Sequence, residues 1–153
     1  MTVLGTSTKD RIDAVFALVA KQRADEETLS HWACYLCVLA SGLLEVSLRS
    51  ILMEYVAVRS HPDVTNFVES RLEGMTNLNE ERVYQLLVAF QPGWGELFRQ
   101  RRTDVQKDAL DSVIANRNQI AHGRSVGLTI ARMRDYYREI VSVLNLIERE
   151  CAR

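Results

Sequence analysis

The sequence contains few of the residues that interrupt helices. Only two prolines and seven glycines occur among its 153 residues. No segment shows the apolar–polar alternation that is typical of a half-buried strand, whereas apolar residues recur three and four positions apart, as in amphipathic helices. The sequence therefore predicts an all-α protein and gives no reason to expect a sheet.

An excess of charge of one sign is also missing. The formal net charge is −1, so the chain lacks the basic coat of a protein that binds nucleic acid tightly and without specificity. This composition excludes neither a local basic site nor an enzyme that holds one or two phosphates. Any contact with nucleic acid is therefore expected to be local.

Cysteines are few, and their spacing is a weak signal. Cys34 and Cys37 form a CxxC pair, but no second pair and no histidine-rich segment follows. On a helix His31, Cys34 and Cys37 drift around the axis and cannot converge on one ion. We interpret the pair as small core residues and expect neither a metal nor a cofactor.

No apolar run is long enough to predict a membrane span. The longest, residues 32–44, is interrupted by Ser41 and Gly42 and ends at Glu45, which leaves it shorter than the ~18 apolar residues that a span requires. Residues 1–5 lack the features of a signal peptide. We expect a core helix, in which Gly42 allows a bend or close packing, in a cytoplasmic protein without membrane contact.

The helical patterns fill one predicted domain, residues 1–153. The expected helices cover residues 9–22, 25–59, 62–72, 80–90, 104–121 and 129–150. Residues 91–95 are expected to form a turn or a short irregular helix. The second and last helices are the longest, so the predicted architecture is a helical bundle with these two as its frame.

The most informative stretch is RNQIAHG, residues 117–123, at the end of a predicted helix. Asn118 and His122 are four residues apart and share a face, whereas Arg117 and His122 point about 140° apart. Arg117 and His122 can meet at one phosphate only if the helix loosens near His122 or a second chain contributes. Gly123 favours the loosening, because glycine readily takes the left-handed conformation that ends helices.

An arginine and a histidine with four residues between them, the first of which is polar, resemble the signature of the HEPN superfamily. Further similarity lies in residues 41–45 and Arg49 on the long helix and in residues 136–137 on the last helix. Together these features resemble the standalone subgroup named for its ribonuclease-L and PSP relatives, also called MAE-type HEPN nucleases. The resemblance spans about residues 25–148 and covers the first helix less clearly.

The resemblance implies a bundle of HEPN type that forms a homodimer, with the motif of each subunit facing its partner. It also implies metal-independent endoribonuclease activity in a toxin–antitoxin or phage-defence setting, where an antitoxin protein is a possible further partner. Arg117 and His122 are the predicted catalytic residues. The predicted supporting residues are Asn118, Gly123, Glu45 and Arg49.

The chemistry of RNA fits this motif. RNA carries its own nucleophile, the 2′-hydroxyl, and histidine can exchange protons near neutral pH. An arginine can hold two phosphate oxygens in a fork. The expected products are a 2′,3′-cyclic phosphate and a 5′-hydroxyl. One histidine is awkward for two proton transfers, which makes a two-fold dimer chemically sensible.

Plainer interpretations stand beside these. A basic residue, a histidine and a glycine are also typical of an ordinary helix C-terminus. Glu45 either pairs with Arg49 one turn on, for ~0.3–0.5 kcal/mol, or reaches Arg117 or His122 from the neighbouring helix. The alternative functions are a non-catalytic helical module that binds RNA or protein, and a regulatory partner of a nucleotidyltransferase.

Six further residues are candidates for RNA contact, although such groups more often form solvated faces. These candidates are Arg99, Arg101, Arg102, Arg124, Arg132 and Tyr136.

Overall fold

A computed structural model describes the backbone of residues 3–151 and the side chains of residues 5–151. Helices joined by short loops fill this range, which contains no strand. In chain order they are α1 (Val3–Lys21), α2 (Glu26–Ala57), α3 (Pro62–Leu72), α4 (Glu80–Phe90), α5 (Pro92–Arg101), α6 (Asp104–Ala121) and α7 (Ile130–Glu150). The predicted all-α class is confirmed, and so are the two long frame helices, α2 with 32 residues and α7 with 21.

Side-chain caps explain why several helices begin where the sequence predicts. Asp25, Asn79 and Thr129 each accept a hydrogen bond from the backbone N–H three residues further on. Thr103 forms a capping box with Gln106, in which each side chain accepts from the other residue's backbone N–H. These bonds satisfy donors that the first turn of a helix leaves unpaired.

Two predictions differ from the structure. Residues 91–95 were expected to form a turn or a short irregular helix, whereas residues 92–95 begin the regular ten-residue helix α5. Pro92 suits the first turn, and burial of Trp94 and Phe98 one turn apart outweighs the poor helix propensity of two glycines. A Cβ on Gly95 would collide with Val88, so this glycine allows α4 and α5 to approach closely. The second error concerns α1, which begins six residues before the predicted start at Lys9.

Helix α2 is the centre of the bundle and packs against α1, α3, α6 and α7. Within the described residues it is the one helix long and apolar enough to cross a membrane, and 56% of that apolar window is buried by its neighbours. This burial agrees with its interpretation as a core helix. The helix continues through Gly42, where a Cβ would find nothing within 4 Å, so Gly42 provides no close packing inside the described chain.

Helix α1 is attached to the frame through α7. The hydroxyl of Tyr137 donates to Asp13 Oδ1 at 2.6 Å, and the Tyr137 ring lies 5.5 Å from that of Phe16. Burial and the Asp13 carboxylate raise the pKa of the Tyr137 hydroxyl, so the hydroxyl remains a donor. The side chain of Tyr137 is accordingly buried in the core.

Candidate functional site

The motif lies where α6 ends. His122 leaves the helical conformation (φ −93°, ψ 13°), and Gly123 takes a left-handed one (φ +68°). The N–H of Gly123 donates to the carbonyl of Ile120 at 3.0 Å, and that of Arg124 donates to Gln119 at 2.9 Å. These two bonds define a Schellman motif. The predicted loosening at His122 and the role of Gly123 in it are therefore confirmed.

The imidazole of His122 is open to solvent. The residue is exposed at the helix end, and its ring makes no hydrogen bond or ion pair with any residue between 5 and 151. An exposed imidazole without a fixed partner is available to take a proton from a ligand or to give one.

Arg117 is half-buried on the last turns of α6, and neutral groups hold it. Its Nη1 donates to Asn118 Oδ1 at 3.3 Å and to Asn77 Oδ1 at 3.5 Å. Within the described chain no carboxylate pairs with this guanidinium. The positive charge of Arg117 is therefore not compensated locally, and Asn118 is one of the groups that orient it.

Asn77 lies in the loop between α3 and α4 and connects Arg117 to α2. Its backbone N–H donates to Glu45 Oε1 at 3.1 Å, while its side chain accepts from Arg117. Both expectations for Glu45 are wrong: this carboxylate forms no ion pair with Arg49, and it reaches Arg117 only through Asn77. A long-range loop contact of this kind has no signature in helical spacing, so the role of Asn77 cannot be predicted from the sequence.

Arg49 lies one turn beyond Glu45 on α2 and is half-buried. Its guanidinium has no ion pair among the side chains that the structure describes. Its predicted supporting role stays a prediction, with a free positive charge as its physical basis.

Two arginines near the C-terminal end of α5 have a different environment. Arg99 and Arg102 donate through Nε to the buried carboxylate of Glu80, at 3.3 and 2.8 Å. Arg99 also pairs with Glu81 and lies over the ring of Tyr84. These carboxylates neutralise both guanidinium groups within the fold, which argues against the predicted role of Arg99 and Arg102 as RNA contacts.

The remaining candidates are on the surface. Arg101 and Arg124 are exposed, and Arg124 donates to Gln119 Oε1 at 3.2 Å. Arg132 and Tyr136 line an open groove of about 670 Å³ between α6 and α7. The same groove is lined by four carboxylates, so it does not favour a phosphate. RNA contact by these four residues stays a prediction.

Of the CxxC pair, Cys37 has the core position that was predicted for both cysteines. The Cys37 thiol is buried and contacts the Val113 carbonyl at 3.4 Å, and burial raises its pKa to about 12. Cys34 is half-buried, and both thiols are free. Within residues 3–151 no group of three or more His, Cys, Asp and Glu side chains is arranged to hold a metal ion.

Comparison with known proteins agrees with this architecture. The family described as RiboL-PSP-HEPN matches residues 6–153. The match includes most of α1, which the resemblance noted in the sequence had covered less clearly. Searches of curated proteins and of solved structures give no match.

Proposed function

The chain belongs to the RiboL-PSP-HEPN family, and we propose that it is an endoribonuclease that needs no metal. The observation that carries the proposal is the uncompensated charge of Arg117, at the helix end that also presents the exposed imidazole of His122. A cation that only amide oxygens hold can still bind an anion. The imidazole of His122 can move the protons that phosphodiester cleavage requires.

The proposed reaction is attack of the RNA 2′-hydroxyl on the adjacent phosphorus. The hydroxyl loses its proton as the new O–P bond forms, and the bond to the 5′-oxygen breaks as that oxygen gains a proton. Arg117 stabilises the charge on the phosphoryl oxygens, and His122 transfers protons. The products are a 2′,3′-cyclic phosphate and a 5′-hydroxyl, which balances atoms and charge without an added water molecule.

A homodimer would complete this site. Each chain has one histidine in the motif, and the reaction removes one proton and delivers another. A two-fold partner would supply the second imidazole. The outer face of α2 offers a surface for this partner, because Tyr35, Val38 and Val46 are 40%, 43% and 38% exposed and share one side of the helix.

The proposed dimer surface can be tested by placing positive charges on it. The double variant Val38→Arg and Val46→Arg should give a monomer by light scattering and lose RNA cleavage. The matched control is Val64→Arg on α3, which alters an apolar residue that is 50% exposed on another surface and should leave the mass unchanged. A wild-type protein that cleaves RNA as a monomer would contradict the proposed dimer.

The cellular role that fits such an enzyme is that of a toxin or a phage-defence effector in the cytoplasm. A nuclease without a metal or cofactor requirement is active once it folds, so an antitoxin protein would be a natural restraint. Expression of wild type should arrest growth, and Arg117→Ala should relieve the arrest at equal protein level. Growth arrest that persists in this variant would contradict the role.

The reaction itself is tested with a single substrate pair. Wild type should cut an RNA oligonucleotide in the presence of EDTA and should fail on the same oligonucleotide with a 2′-deoxy sugar at the cut position. Cleavage that survives the deoxy substitution would exclude 2′-hydroxyl attack. Binding of RNA without cleavage would indicate a non-catalytic RNA-binding module instead.

A further inference from the structure

The loop between α3 and α4 contacts three helices at once. Asn77 bonds Glu45 of α2 through its backbone and Arg117 of α6 through its side chain. Arg82 of α4 donates through Nη1 to the carbonyl of Thr76 at 2.9 Å. The loop is therefore fastened at Thr76 and at Asn77, whose side-chain oxygen accepts from Arg117.

The backbone of Asn77 takes a conformation that normally favours glycine. Its φ is +57°, and among the described residues it is the one non-glycine with a positive φ. Glycine would adopt this conformation without steric cost. What asparagine adds at this position is a side-chain oxygen, and that oxygen accepts from Arg117.

The hydrogen bonds of Arg117 use only one of its nitrogens. Both Asn77 and Asn118 accept from Nη1, and a guanidinium carries five N–H donors in a planar fork. The Nε and Nη2 edge has no partner among the described residues. That edge is the side of the fork that can hold two oxygens of one phosphate.

We propose that Asn77 is a positioning residue for Arg117, and this inference rests on the proposed ribonuclease function. Its amide oxygen holds Nη1, which orients the free Nε and Nη2 edge towards the scissile phosphate. Because the amide is neutral, it orients the guanidinium without neutralising it. Glu45 acts one step further away, by accepting the N–H of Asn77 and so stabilising its left-handed conformation.

The test variant is Asn77→Gly. It keeps the positive φ and the backbone N–H that binds Glu45, and it removes only the side-chain acceptor. We expect kcat/KM for RNA cleavage to fall about fivefold to tenfold, the loss of one long hydrogen bond of 3.5 Å to a charged group, with the thermal midpoint unchanged or higher. The matched control is Arg82→Met, which removes the other fastening of the same loop and should leave kcat/KM within about twofold of wild type.

A second readout does not depend on activity. Nuclear magnetic relaxation of the Arg117 Nε–H should show an ordered side chain in wild type and a lower order parameter in Asn77→Gly, while Arg102 stays unchanged as an internal reference. Wild type that fails to cut RNA would contradict the proposed function and leave this measurement valid. Equal order of Arg117 in both proteins, or an equal loss of kcat/KM in Arg82→Met, would overturn the positioning role.

Discussion

Arg102 and Arg117 have opposite environments in this bundle. Arg102 has a side chain only 14% exposed and binds Glu80, whose side chain is 4% exposed. Arg117 is bound by the amide oxygens of Asn77 and Asn118. At Arg102 a carboxylate neutralises the charge, and the ion pair connects helices. At Arg117 neutral acceptors orient the guanidinium and leave its charge available to a ligand.

Residues of the same type can therefore have different roles, which depend on the groups that they contact. A buried ion pair is costly to break because either partner alone is left as an uncompensated charge. A half-buried cation that is held only by amides can instead bind an anion favourably, because no carboxylate has to be displaced first. A basic residue near a motif is therefore a poor predictor of function until its partner is known.

The largest expected effect comes from removing the uncompensated charge or the imidazole. Arg117→Ala and His122→Ala should each lower kcat/KM for RNA cleavage by about 10²–10⁴-fold, because each removes a group that acts on the phosphate or its protons. Circular dichroism and the thermal midpoint should stay close to wild type. Activity within a factor of ten of wild type in either variant would remove that residue from the proposed mechanism.

The next effect is on stability and concerns the ion pairs of Glu80 with Arg99 and Arg102. Glu80→Ala should lower the free energy of unfolding by about 3–5 kcal/mol, mainly because Arg102, whose side chain is 14% exposed, loses its buried partner, whereas Arg99 keeps its pair with Glu81. Urea unfolding measures the change. In buffer without urea the folded fraction of this variant should keep wild-type activity. A large loss of activity per folded molecule would connect the ion pairs of Glu80 to catalysis.

A third change converts one environment into the other. Asn77→Asp keeps an oxygen near Arg117 Nη1 but gives it a negative charge, as Glu80 does for Arg102. We expect kcat/KM to fall about tenfold or more and the stability to rise by about 0–1 kcal/mol, the usual range for a partly exposed pair. Steady-state kinetics beside urea unfolding measure both quantities. Higher activity in Asn77→Asp would refute the argument that a neutral acceptor is needed.

The smallest effect is expected at Arg101, which is held neither by a carboxylate, as Arg102 is, nor by amide oxygens, as Arg117 is, among the described residues. This residue is exposed at the end of α5. Arg101→Ala should change the free energy of unfolding by less than about 0.5 kcal/mol. Cleavage should fall about twofold at low salt and not at all at high salt, since salt screens exposed charges. A loss as large as that of Arg117→Ala would make Arg101 part of the site.

The helices were largely predictable because their signals are local. Asn79 and Thr103 cap helices through bonds three residues along the chain, and Pro62 begins α3 at the predicted residue. The motif also lies within one helical end, so the break at His122 followed from Gly123. The sequence predicted only a turn or a short irregular helix where α5 begins, because the stability of this regular helix comes from packing of Trp94 and Phe98, which outweighs local propensity.

The sequence by itself determined the all-helical class, most helix ends and the position of the arginine–histidine motif. Each of these depends on residues within one or two turns of one another, where spacing and capping are readable. Only the tertiary structure decided which arginines are neutralised and that Asn77 connects Glu45 to Arg117. Those contacts join residues 32 and 40 positions apart, and no local pattern encodes which side chains meet when separate helices pack.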